Sequence, residues 1–425
     1  MSLLPKLLSL ALLAIYVQAT PASSSYGRRG AGHSGGGKVA STWWTNWHAS
    51  DFPVSALSWE KYTRVTFAFA ETTPDVHSLN LSANLTAGLG ESLLTELVAA
   101  GHQHGVQVAV SIGGWTGSRW YSSNVATPEN RTAFVKTVVG LATTYDLDGL
   151  DFDWEYPGNQ GIGCNVISPN DTSNFLSFLQ ELRSDPVGAK LVLSAATSIV
   201  PFYNSSGKPS TDVSAFSKVL DFIEVMNYDV WGSWSTGVGP NSPLNDTCAP
   251  TLDQQGSAVS ALKAWTSAGM PAHQLVLGVA AYGHSFRVNH SQALDANGQL
   301  TAYPAFNASD QPVGDKWDDP AAVDECGAKQ GPGGQFTFWG MMDAGFLTPT
   351  GHPAEGIDYR YDTCSQTPYV YNTTSDVMIS FDNARSFAEK GRFIDWASLG
   401  GFAMWEAGGD RDDILLDAIR AGGKY

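Results

Sequence analysis

The chain has 425 residues, with 41 acidic against 24 basic side chains and a net charge of −17. At 43% hydrophobic, 11% aromatic and only 15% charged residues, it is neither a disordered chain nor a coiled coil. An acidic surface without a Lys/Arg cluster repels phosphate, which argues against nucleic acid and anionic membranes as partners.

Residues 1–19 are laid out as a secretion signal: Lys6, an apolar stretch from Leu7 to Val17, and Val17-Gln18-Ala19 before the expected cleavage. The apolar run is too short to span a bilayer. Residues 20–38 read as a flexible linker, with six glycines between Gly27 and Gly37. A secreted, extracellular monomer is expected. Nine Asn-x-Ser/Thr sequons, from Asn80 to Asn372, suit such a glycoprotein surface.

From Val39 onward, short apolar runs rich in β-branched residues alternate with helix-compatible stretches. The runs begin near Val39, Arg64, Val106, Gly149, Lys190, Phe222, Gln274 and Leu399. Helices are expected at 92–104, 128–145, 170–182, 255–268 and 411–421, with Thr127-Pro128 as a well-formed helix entry. A strand-plus-helix repeat of about forty residues is what parallel βαβ units need. Alternation alone allows an open sheet as well as a closed barrel; eight units favour an α/β class (β/α)8 TIM barrel. The last gap is 125 residues, long enough for an extra module. We place an α+β insertion at 284–375, between strands seven and eight, leaving 39–283 and 376–425 for the barrel.

Four cysteines, Cys164, Cys248, Cys326 and Cys364, lack the short paired spacings of zinc ligands, and secretion favours disulfides. Three pairings are possible. Cys164–Cys248 with Cys326–Cys364 is expected, because each bridge then stays within one region.

The most informative segment runs Asp148-Gly149-Leu150-Asp151-Phe152-Asp153-Trp154-Glu155. On a strand, Asp151, Asp153 and Glu155 share one face while Leu150, Phe152 and Trp154 share the other. In a barrel the acids point inward, with Glu155 nearest the C-terminal mouth where active sites form. Asp148 has the opposite parity and reads as structural. Confined carboxylates raise one another's pKa, so a proton must be shared. That suits a general acid at Glu155, with Asp153 accepting a hydrogen bond from it and Asp151 polarising Asp153. A cation site on a strand flanked by Phe and Trp is the weaker reading.

This segment resembles the DxxDxDxE signature of family 18 glycoside hydrolases, the chitinases, matching it at Asp148, Asp151, Asp153 and Glu155. Ser111-Ile112-Gly113-Gly114 resembles the family's third-strand motif, Met226-Asn227-Tyr228-Asp229 its sixth, and Gly401–Glu406 its eighth. The resemblance implies a retaining hydrolase of chitin and chitooligosaccharides that uses no enzyme nucleophile and no cofactor or metal. Glu155 would protonate the glycosidic oxygen, and the substrate's 2-acetamido oxygen would attack to form an oxazolinium ion. Asp153, Tyr228 and Asp229 would hold that acetamido group and the −1 sugar, and Trp405 would be the floor beneath it. Met226 and Tyr282 are further expected contacts. Aromatic platforms are sought at Trp43, Trp115, Trp120, Trp231, Trp234 and Trp339, with Trp115 and Trp234 favoured. His284 departs from the family pattern, which often places Arg after Tyr-Gly. Two other functions stay open: a chitin-binding lectin and an endoglycosidase acting on N-glycans.

Three further signals carry no chemistry. Gly32–Gly36 fits G-x-S-x-G but lies in the linker with no strand before it. His102 and His104 do not converge on one helical face. Gly37-Lys38 lacks the Ser/Thr of a phosphate loop.

Overall fold

The computed structural model describes residues 37–83 and 85–425. The expected signal, the linker up to residue 36, the Gly32–Gly36 segment and the Asn84 sequon lie outside the described residues.

Seven parallel strands come first: β1 (Val39–Thr45), β2 (Arg64–Thr72), β3 (Gln107–Gly113), β4 (Gly149–Asp153), β5 (Val192–Thr197), β6 (Phe222–Val225) and β7 (Leu275–Ala280). The strands of a five-stranded antiparallel sheet follow, β8 (Tyr282–Arg287), β9 (Gln335–Thr337), β10 (Asp358–Asp362), β11 (Thr367–Asn372) and β12 (Val377–Ser380), before β13 (Gly401–Trp405) completes the parallel set. β1 pairs with both β2 and β13, so the parallel sheet closes on itself. The architecture is a (β/α)8 TIM barrel, with each strand close to its expected start.

The major helices are α1 (Leu89–His104), α2 (Pro128–Tyr145), α3 (Asp171–Ser184), α4 (Ala258–Ser267), α5 (Ala384–Trp396) and α6 (Ile414–Gly423). Local chemistry sets their ends. Thr127 caps α2 by accepting from Asn130 N, with Pro128 in the first turn. Ser257 and Ser260 form a reciprocal capping box at α4, which starts it three residues after the expected 255.

The alternation on β4 sorts its side chains as expected. Phe152 packs edge-on against Phe175 and Phe178 of α3, at 6.0 and 5.5 Å between ring centres. Trp154 stacks on Tyr121 at 4.9 Å. Burying a ring of this size contributes about 2 kcal/mol, so the apolar parity drives the acidic parity into the barrel. Asp148 binds outside it, accepting from Val108 N at 2.8 Å and from His102 Nε2 at 3.0 Å.

The antiparallel sheet is ordered β9-β8-β12-β11-β10. It spans Tyr282 to Ser380, beyond the expected insertion at both ends, because β8 and β12 pair with each other at its centre. Phe286, Tyr371 and Met378 form its small core.

The expected disulfides do not form. Cys164 bonds Cys326, and Cys248 bonds Cys364. Each bridge ties a loop at a barrel strand's C-terminal end to the segment between β8 and β12. Regional proximity along the chain misleads here because the barrel mouth gathers loops more than a hundred residues apart: the linked cysteines are 162 and 116 residues apart.

Candidate active site

β4 ends at Asp153, and Glu155 stands two residues beyond it, outside the strand. One hydroxyl compensates for the lost ladder: Ser118 Oγ accepts from Glu155 N and donates to Asp153 O, both at 2.9 Å. Asn165 Nδ2 donates to Glu155 O at 2.9 Å, fixing the peptide from the other side. The double glycine at the end of β3, Gly113-Gly114, makes room. A Cβ on Gly113, whose φ is +105°, would stand 2.1 Å from Asp153 O, and one on Gly114 would meet the Phe69 ring at 2.8 Å.

Asp151 is held from both sides, accepting from Ser111 Oγ at 2.7 Å and Ser194 Oγ at 2.8 Å. Asp153 is buried, and its Oδ1 has no hydrogen-bond partner. Burial, then the charges of Glu155, Asp151 and Glu224, push its carboxyl well above the usual range. Glu155 is also buried; burial raises it to about 7, helped by Asp229 and opposed by a hydrogen bond with Tyr156. The Glu155 charge thus adds to burial in raising Asp153, and the pair holds a proton near neutral pH.

Asp229 follows β6 in the left-handed region, φ 54°, with its N–H bound to Asn241 Oδ1 at 2.9 Å. Its Oδ1 accepts from Tyr282 Oη at 2.7 Å and contacts His284 Nε2 at 2.7 Å. His284, buried beside it, thus holds Asp229 in place. Tyr228 is half-buried, its ring centre 6.2 Å from that of Tyr282. Burial first, then the fields of Asp153, Asp229 and Glu155, keep its phenol protonated and able to donate.

Trp405, at the end of β13, stacks on Phe69 at 5.6 Å and 20°. Met226 packs against the same small cluster, which includes Trp43 and Ala403. Trp43 is not the open platform expected: it is 1% exposed, 5.9 Å from Trp405, and supports that ring from within the barrel. Trp231 and Trp339 are likewise buried, whereas Trp115 and Trp234 are exposed beyond β3 and β6. Trp120 is half-buried.

Several site residues escaped the sequence reading. Trp47 is exposed and stacks on Phe69 at 5.9 Å. Trp317 stacks on His48 at 3.8 Å, and His48 bonds Glu406 at 2.8 Å, so a residue from the segment between β8 and β9 closes on the Trp405 side. Glu224 and Arg64 are buried inside the barrel. A Glu within the apolar run FIEV, and an Arg opening RVTFAFA, were the available signals.

A model of family 18 of the glycosyl hydrolases matches residues 40–410. The chain belongs to that family. Two curated fungal relatives, each described as a chitinase-like effector, are similar over nearly their whole length. The one from Moniliophthora perniciosa is 52% identical over 95% of this chain and 91% of its own. The one from Moniliophthora roreri is 48% identical over 100% and 99%. The crystal structure of a chitinase from Rhizomucor miehei superposes with a TM-score of 0.81 at 32% identity, covering 91% of this chain and 100% of that one. Family 18 membership accounts for the barrel and for the order of the motifs along it.

Proposed function

We propose that this family 18 member is a secreted chitinase that cleaves β-1,4-linked N-acetylglucosamine polymers with retention, through the substrate's own acetamido group. The arrangement that carries this reading is Glu155 at the mouth of the barrel, buried beside Asp153, where burial raises its carboxyl to about 7. Proton donation needs a group poised near the working pH. Asp153 beside it is pushed toward its own neutral form, which leaves the sugar's acetamido oxygen as the nucleophile. Tyr228 and Asp229 would hold that group, Trp405 would floor the −1 sugar, and Met226, Tyr282, Trp115 and Trp234 would line the cleft. Two disulfides suit an oxidising, extracellular setting, and no described helix is long and apolar enough to cross a membrane.

Product analysis on chitooligosaccharides of defined length tests this, with anomers followed by NMR. Retained β-anomer and no cleavage of polymers lacking the N-acetyl group are expected; inversion would overturn the reading. Glu155→Gln should keep oligosaccharide binding and lower kcat at least about a hundredfold. The second reading is a chitin-binding lectin without turnover; the two Moniliophthora relatives are described as chitinase-like effectors rather than as chitinases. Wild-type protein that binds chitohexaose but releases no product would establish it.

A further inference from the structure

No motif singled out in the sequence covers Asn241-Ser242, a fully buried pair outside every described strand and helix. Its hydrogen bonds run to residues that form the site. β6 is four residues long and its ladder to β5 and β7 ends at Val225, so the peptide groups from Asn227 to Val230 have no ladder to hold them. The buried pair holds them instead. Asn241 Oδ1 accepts from Asp229 N at 2.9 Å and Asn241 O accepts from Val230 N at 3.1 Å, one on each side of the Asp229 Cα. Ser242 Oγ accepts from the Lys390 ammonium at 2.7 Å, which turns its own proton to Asn227 O at 2.6 Å.

A left-handed backbone at a residue other than glycine persists only where the surroundings fix it, and Asp229, at φ 54°, is such a residue. The same asparagine holds the partner of its side chain. Asn241 Nδ2 donates to Tyr282 O at 3.1 Å, and the Tyr282 hydroxyl donates to Asp229 Oδ1 at 2.7 Å. One amide thus registers the main chains of both members of that bond, and only this orientation of it satisfies an N–H and a carbonyl together. Asn241 N in turn donates to Ser380 Oγ at 3.1 Å, where Ser380 of β12 pairs with His284 of β8. We propose that Asn241 is a positioning residue that fixes Asp229 against Tyr282 and ties both to the centre of the antiparallel sheet.

The kinetic consequence rests on the chitinase reading; the hold itself does not. Asn241→Ala removes both side-chain bonds. Hydrogen exchange read by mass spectrometry tests the hold without turnover: the amides of residues 227–230 should exchange at least about tenfold faster, with those of β2 and β3 unchanged. Unchanged exchange at 227–230, or acceleration spread evenly over the barrel, overturns the proposal. With an active wild type, Asn241→Ala should lower kcat on chitooligosaccharides at least about tenfold, but less than about threefold when Asp229 is already Ala, because a residue acting through Asp229 then has nothing left to position. An equal loss in both backgrounds, as a merely structural role would give, overturns it as well. An inactive wild type overturns the chitinase reading and leaves the exchange result standing. Should Asn241→Ala fail to fold, Ser380→Ala, 139 residues away, removes the acceptor of Asn241 N and should speed exchange at 227–230 above the rest of the barrel. Wild-type exchange there is then the contrary result.

Discussion

Glu155 retains its proton because burial, more than any single neighbour, makes its charge costly, and this has opposite consequences for rate and stability. As a donor it must be protonated, so kcat/KM should fall as pH rises through about 7, measured on soluble oligosaccharides. For stability the sign follows from proton uptake. The folded carboxyl titrates near 7 against a reference of 4.5, so between those values the folded state binds more protons and stability declines with rising pH. Urea unfolding of Glu155→Gln against wild type should show no gain at pH 4 and a gain of up to about 3 kcal/mol at pH 8. The motif residues at this scale were legible because a strand's period of two separates Asp151 and Asp153 from Leu150 and Phe152. Trp43 was misjudged and Trp47 passed over, since a tryptophan's chemistry says nothing about which face of it neighbouring rings cover.

The loop after β4 is where local pattern and tertiary contact part company. Extrapolating the strand to Glu155 assigned its direction, yet the residue is aimed by Ser118 and Asn165, neither of which any spacing rule links to it. Asn165 adjoins Cys164, whose bridge to Cys326 moors the loop. Replacing both cysteines by Ser should lower kcat at least about fivefold through misplacement of the acid. The matching change at Cys248 and Cys364 should cost comparable stability, about 2–5 kcal/mol, with a smaller loss of rate. Steady-state kinetics beside denaturant curves separate the two effects. Helix starts were more readable, because caps such as Thr127-Pro128 act within four residues.

At the scale of the molecule, a buried ion pair joins the antiparallel sheet to the barrel. Lys390 of α5 bonds Asp382, just past β12, at 2.7 Å, with neither side chain exposed. It also donates to Ser242, whose hydroxyl binds Asn227 O at 2.6 Å, directly before Tyr228. Lys390→Met leaves Asp382 unpaired in the interior and should cost about 3–5 kcal/mol in urea unfolding, whereas the double change with Asp382→Leu should cost less than the two single changes added together. The sequence by itself determined the eight barrel strands, the parity that turns acids inward, and the family, because these depend on period and on residues within one segment. The tertiary structure alone decided the disulfide pairs and the covered and open tryptophans. Those depend on which loops and strands a closed barrel brings face to face, and no periodicity within a segment encodes the distance between two of them.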